Sequence, residues 1–240
     1  MNSAHIYDLA QPVYARASAH GGARFRDEAA YHVLKRLELN KEGLVEVKPA
    51  NANLSQAKWL DARASAFIGR HPEACVVEIE SGLSTRFHRL CANADWPRFS
   101  WHLVNNRDIT DCLNFVLPET DSFDCHASEA PISRWPALIG SQPNEALFVI
   151  AGESTPVKNS SIEPLLMTFL EAIEQGHQHA ELIICHHQVS LADHIKLYSP
   201  LKIAQERTFK PSGDWFARLC GHWGRGQQQT ITLTHIKHQP

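Results

Sequence analysis

Ala74-Cys75-Val76-Val77-Glu78-Ile79-Glu80-Ser81-Gly82-Leu83-Ser84-Thr85 is the stretch that decides the fold. A short β-branched run that ends in a turn is the pattern of a strand buried on both faces of a parallel sheet. Gly82 lets the backbone of the turn approach a ligand closely, and Ser84 or Thr85 can cap the helix that follows. In an open α/β sheet, ligands bind beyond the carboxyl ends of the strands, so this loop is the first place to look for chemistry. A single glycine marks a plain turn as readily as a ligand site, and the loop alone identifies nothing.

Working outward, the same strand–helix alternation continues in both directions. Upstream, residues 54–70 carry Ala57, Leu60, Ala64, Phe67 and Ile68 on one helical side, and His71-Pro72 ends that helix. Residues 25–39 do the same with Ala29, Ala30, Val33, Leu34 and Leu37. Downstream, Phe99 to Val104, Ser122 to Ala127, Ala146 to Ile150 and Glu181 to Cys185 read as strands. Asp108 to Leu117 and Ile162 to Glu174 read as the helices between them, with Gly176 as a stop. Thr230 to Lys237 alternates β-branched and polar residues and reads as a final edge hairpin strand. Such alternation predicts an α/β fold with a doubly wound, mostly parallel sheet. No repeat or linker divides the chain. One domain over residues 1–240 is expected, with 1–70 as a helical cap and 71–240 as the α/β core.

Composition narrows the partners. The 240 residues are 43% hydrophobic and 20% charged, enough for a large core without staples. The net charge of −3 and the lack of a basic tract argue against a nucleic-acid partner. No window approaches the roughly 18 apolar residues of a membrane span, and residues 1–9 lack signal-peptide character. The six cysteines include no pair at CxxC spacing and read as thiols in a reducing, cytoplasmic compartment.

The run Val76-Val77-Glu78-Ile79-Glu80-Ser81-Gly82-Leu83-Ser84-Thr85-Arg86-Phe87-His88-Arg89-Leu90 resembles the first motif of the leucine carboxyl methyltransferase family. That family includes the tetracenomycin-type O-methyltransferases of polyketide synthesis and reads V-V-x-L-G-A-G-L-D-T-R-F-Y-R-L there. Pro12-Val13-Tyr14-Ala15-Arg16-Ala17, Phe25-Arg26-Asp27 and Ala29-Ala30 are similar to its opening segment, and the likeness runs from about residue 10 to 175. The resemblance implies a class I, Rossmann-like fold with a seven-stranded sheet, one strand antiparallel, and S-adenosylmethionine (SAM) across its carboxyl edge. It implies that Arg63 holds the cofactor carboxylate and that Gly82, flanked by Glu78 and Glu80, underlies the methionine portion. Asn105 would take the ribose hydroxyls, and Ser128 or Glu129 would lie near the adenine.

The departures are concentrated in that same site. Glu80 stands where the family has its first loop glycine, and Ser84 replaces an aspartate. Asn105 is a neutral amide in place of an acidic group, and Ala151 holds the glutamate position of the family's E-G-x-x-x-Y-L signature. The implied activity is a SAM-dependent transferase, an O-methyltransferase of a small-molecule carboxylate or hydroxyl. Glu153, His126 and Tyr14 are its candidate proton acceptors. The alternative is a non-catalytic member of the fold that acts as a binding or partner subunit.

Other constellations carry less. His177, His179, His186, His187 and His194 lack a carboxylate at metalloenzyme spacing, so no metal site is expected. No G-x-S-x-G elbow supports a nucleophile. Trp135 and Trp223 could line a pocket but read more readily as loop residues.

Overall fold

Five consecutive residues without solvent exposure, Cys75–Ile79, form β1 at the centre of a seven-stranded sheet. The computed structural model describes residues 3–18, 25–39, 52–92, 97–131, 145–150, 159–174, 179–187, 191–198, 201–209 and 231–238. β1 pairs in parallel with β2 (Ser100–Asn105) on one side and β4 (Glu145–Ile150) on the other. β3 (Phe123–Ala127) lies outside β2, and β5 (His179–His187) lies beside β4, both parallel. β7 (Ile231–His238) runs antiparallel between β5 and β6 (Leu201–Phe209), giving the order β3-β2-β1-β4-β5-β7-β6. The strand order reverses between β1 and β4, which makes the loop after β1 a topological switch point.

Alternate side chains of the strands feed two cores. On one face Val76, Trp101, Leu103, Leu147 and Ile183 meet apolar residues of α1 (Ser3–Ala17), α2 (Glu28–Leu37), α3 (Ala52–Arg70), α4 (Arg86–Cys91) and α5 (Arg107–Val116). On the other, Val77, Ile79, Phe148, Leu182 and Ile184 meet α6 (Asn159–Glu174) and α7 (Leu191–Ile195). Helices therefore cover both faces, as the alternation predicts. Among the described residues, no helix is long and apolar enough to cross a membrane.

The carboxyl-terminal strands correct the sequence reading. β7 is not an edge strand: it is hydrogen-bonded on both sides, and residues 231–236 are all buried. Its polar positions face partners rather than water. The Thr234 hydroxyl meets His186 Nε2 at 2.8 Å and Glu206 Oε1 at 2.9 Å, and Thr232 meets Thr208 at 3.2 Å. The edge belongs to β6, which the apolar pattern misses. Lys202, Gln205, Glu206 and Arg207 are exposed, and a register shift lies between Ile203 and Gln205. Charges and an irregularity are how natural edge strands avoid further pairing, and they erase the strand signal.

Candidate functional site

The loop after β1 is anchored from beneath by buried ions. Glu78, the fourth residue of β1, turns its carboxylate into the core, where Ser84 Oγ donates to both oxygens at 3.0 Å. Trp101 Nε1 donates to it at 3.1 Å, and Arg86 Nη1 completes a fully buried ion pair. Arg86 also reaches Asp61 of α3 at 3.2 Å, and Arg89 bridges Asp61 (2.7 Å) to Asp27 (2.6 Å). Asp27 receives Arg16 Nε at 2.9 Å and the Thr85 hydroxyl at 2.7 Å, and it caps α2 through Ala30 N at 2.9 Å. Arg16 Nη2 reaches the Leu83 carbonyl at 3.2 Å, so α1 grips the loop directly. Burial works to raise the Asp27 pKa, but Arg89 and then Arg16, with the Thr85 and Ala30 hydrogen bonds, hold it below the usual carboxylate value. Three guanidiniums and three carboxylates thus fasten α1, α2 and α3 to the root of the loop.

Thr85 and Ser84 do more than the expected capping. Thr85 occupies the N-cap of α4 without a side-chain cap bond, because its hydroxyl serves Asp27. Ser84 Oγ accepts from Arg86 N at 3.3 Å while donating to Glu78. An aspartate at position 84 would bring a second negative charge beside Glu78.

The tip of the loop is built differently. Glu80 and Gly82 both adopt left-handed backbone, with φ of 52° and 63°. At Gly82 the absent Cβ leaves the Leu9 side chain of α1 at 3.5 Å from where that atom would lie. Glu80 carries a glycine-type conformation with a full side chain, which costs roughly 1 kcal/mol. Its amide donates to Val104 O of β2 at 2.9 Å. The Gly82 amide donates to Asn105 Oδ1, at the end of β2, at 3.3 Å. Asn105 Nδ2 and Ser81 Oγ are buried with no hydrogen-bond partner. Both orphaned groups lie beside Gly82 at the carboxyl edge of a switch-point strand.

The remaining sequence candidates distribute as follows. Ser128 N donates to Asn105 O at 2.8 Å, and its hydroxyl accepts from Ala130 N at 3.2 Å, which puts the turn after β3 next to Asn105. Glu129 is exposed on that turn. Arg63 faces the other way: Nη1 donates to Gln205 Oε1 of β6 at 2.7 Å, and β6 lies four strands from β1. Glu78 is committed to the root of the loop and positions it rather than facing a ligand. Tyr14 is half-buried on α1, and His126 lies on β3, the edge strand beyond β2. Glu153, Ala151, Trp135, Trp223 and His177 lie outside the described residues.

The β5 histidines do not converge, since His179 and His186 are about 23 Å apart along one strand. His186 is buried on Thr234, whereas His179 is exposed and stacks on His71. The sequence reading gave no role to Arg16, Asp27, Asp61, Arg86 or Arg89, which together anchor the loop. The signal for two of them was present, because Arg16 and Asp27 sit in the opening blocks that resemble the methyltransferase family.

No protein-family model matches the sequence, and no curated protein matches it. Solved structures do. A candidate methyltransferase from Thermobifida fusca aligns over 97% of both chains with a TM-score of 0.50 at 12% identity. A candidate RNA methyltransferase from Pyrococcus horikoshii aligns over 89% of this chain and 99% of its own, with a TM-score of 0.48 at 11% identity. TrmN from Thermus thermophilus aligns over 81% of this chain with a TM-score of 0.46 at 10% identity, and this chain spans only 55% of its length. At such identities the likeness speaks to the fold alone. The chain shares the Rossmann-like α/β fold of the Thermobifida fusca structure, built on a seven-stranded sheet.

Proposed function

We propose that this chain is a SAM-dependent transferase of the leucine carboxyl methyltransferase type that methylates a carboxylate or hydroxyl of a small molecule. The observation that carries the reading is the pair of orphaned donors, Ser81 Oγ and Asn105 Nδ2, beside left-handed Gly82. They fit a polar, ribose- and carboxylate-bearing cofactor, which would satisfy groups that otherwise remain buried and unpaired. Gly82 offers a surface without a Cβ to the methionine portion, Asn105 faces the ribose, and the Ser128–Glu129 turn borders the adenine. Arg63, which the family resemblance puts on the cofactor carboxylate, bonds Gln205 of β6 four strands from β1, so the reading does not rest on it. When bound, SAM supplies a methyl group already activated by its sulfonium. The chain's own task is then to orient the acceptor and accept its proton. Glu153, His126 and Tyr14 are the candidates for that step, and none of them is placed at it by an observation. Glu80, at the tip, places negative charge where a cationic sulfonium or ammonium gains from it.

A second reading has its own support. Leu9 covers Gly82 closely, and the Gly82 amide is already spent on Asn105. Both features suit a member of the fold that has closed its cofactor site and serves as a partner subunit. Titration calorimetry of the full chain with SAM and with S-adenosylhomocysteine separates the two. Micromolar binding is expected for the transferase. No heat and no thermal shift at millimolar ligand would sink it and leave the non-catalytic reading standing.

A further inference from the structure

On the sheet face opposite Trp101 and Leu103, the outer two strands bring together three metal-competent side chains that are far apart in sequence. His102 of β2 lies opposite Asp124 of β3 in the parallel register, and Val104 lies opposite His126. His102 Nδ1 stands 3.0 Å from His126 Nε2 and 3.7 Å from Asp124 Oδ2. One ligand atom from each of the three lies within 4.8 Å of the others. His102 is only 7% exposed, whereas Asp124 is exposed, so the cluster has a buried floor and an open mouth.

Two imidazole nitrogens that meet head to head repel if both are bare lone pairs and clash if both carry protons. The contact is favourable only with one proton or one cation between them. Donor atoms around a tetrahedral ion with bonds of about 2.0 Å stand about 3.3 Å apart, and the two observed spacings bracket that value. Two imidazoles and one carboxylate select zinc-class ions over magnesium or calcium, which prefer all-oxygen shells.

We propose that His102, Asp124 and His126 bind one divalent transition-metal ion of the zinc class, with the fourth position open on the Asp124 side. The site lies on β2 and β3, on the far side of β2 from β1, so the ion is not at the Gly82 loop. It would staple the edge strand β3 to β2 and so hold the Ser128–Glu129 turn, whose first amide bonds to Asn105. The inference is independent of whether the chain uses SAM.

The test uses the full-length, untagged chain stripped of metal, titrated with Co²⁺ and with Zn²⁺. One equivalent of Co²⁺ should give visible d–d absorption of a low-coordinate site, displaced by Zn²⁺. Zinc at a hundredfold excess over Kd should raise the melting temperature by about 5 °C. His126→Ala should abolish the absorption, with circular dichroism confirming that the variant folds. Asp124→Asn changes an exposed side chain and should weaken binding at least tenfold; it decides the matter alone if the histidine variant does not fold. Absence of one-to-one binding overturns the proposal. So does a signal unchanged in either variant, which would assign the metal to other histidines.

Discussion

The root and the tip of the β1 loop are only a few residues apart, yet they are built on opposite principles. At the root, Glu78, Ser84 and Thr85 are fully buried, and Glu78, Asp27 and Asp61 are matched by Arg86, Arg16 and Arg89. At the tip, Ser81 and Asn105 are as deeply buried but each leaves a polar group unpaired, and Glu80 holds a backbone shape that disfavours its side chain. Buried polar groups in folded proteins are normally satisfied, so a cluster of exceptions needs an external partner or another cause. The contrast teaches that the chain spends its electrostatic order on fixing where the loop sits.

The largest expected effect breaks the root. Asp27→Ala removes the carboxylate that Arg16 and Arg89 share, while Arg89 keeps its pair with Asp61, and should cost about 3 kcal/mol in urea unfolding, because breaking a buried ion pair from one side is expensive. A satisfied cluster at the amino end of β5 gives a second, pH-dependent comparison. There Glu181 is held by Arg70, His235 and Lys237 at 2.7–2.9 Å. Burial pushes its pKa up, but the His235 and Lys237 hydrogen bonds outweigh this and bring it from 4.5 to about 2. A depressed carboxylate stabilises the fold above its unfolded pKa. That contribution, on the order of 3 kcal/mol, should be lost as the pH falls from near 4.5 towards 2. Acid unfolding of Glu181→Gln should lack that portion of the pH dependence.

Changes at the tip should move binding more than stability. Asn105→Leu removes one hydrogen bond and one orphaned amide together. Its stability should stay within about 1 kcal/mol of the parent, while SAM affinity in calorimetry falls at least tenfold. The smallest effect is expected from Glu80→Gly. It relieves the left-handed strain but loosens the unfolded chain, for a net gain below about 1 kcal/mol by thermal unfolding.

The difference between root and tip also explains what could be read in advance. Strands β1, β2, β4 and β5 announce themselves because both of their faces are apolar, and α2 and α3 through their helical spacing. β6 does not, because its exposed Lys202, Glu206 and Arg207 protect an edge, and β7 misleads because its threonines pair inside the sheet. Gly82 could be singled out from its loop and Asn105 only through the family resemblance, and the structure joins them by the hydrogen bond from Gly82 N to Asn105 Oδ1. The root was not: Arg16 meets Leu83 across 67 residues, and Thr85 meets Asp27 across 58, so no local spacing exposes them. His102 and His126 were missed as a pair for the same reason, since only the β2–β3 register joins them.

Hydrogen–deuterium exchange of the full chain with and without saturating SAM tests the central claim most directly. New protection is expected at the amides of Ser81 and Leu83, with exchange at Arg86 and Arg89, whose amides are already hydrogen-bonded to Ser84 and Thr85, unchanged. Unchanged exchange at the tip, or protection confined to another part of the sheet, would contradict it.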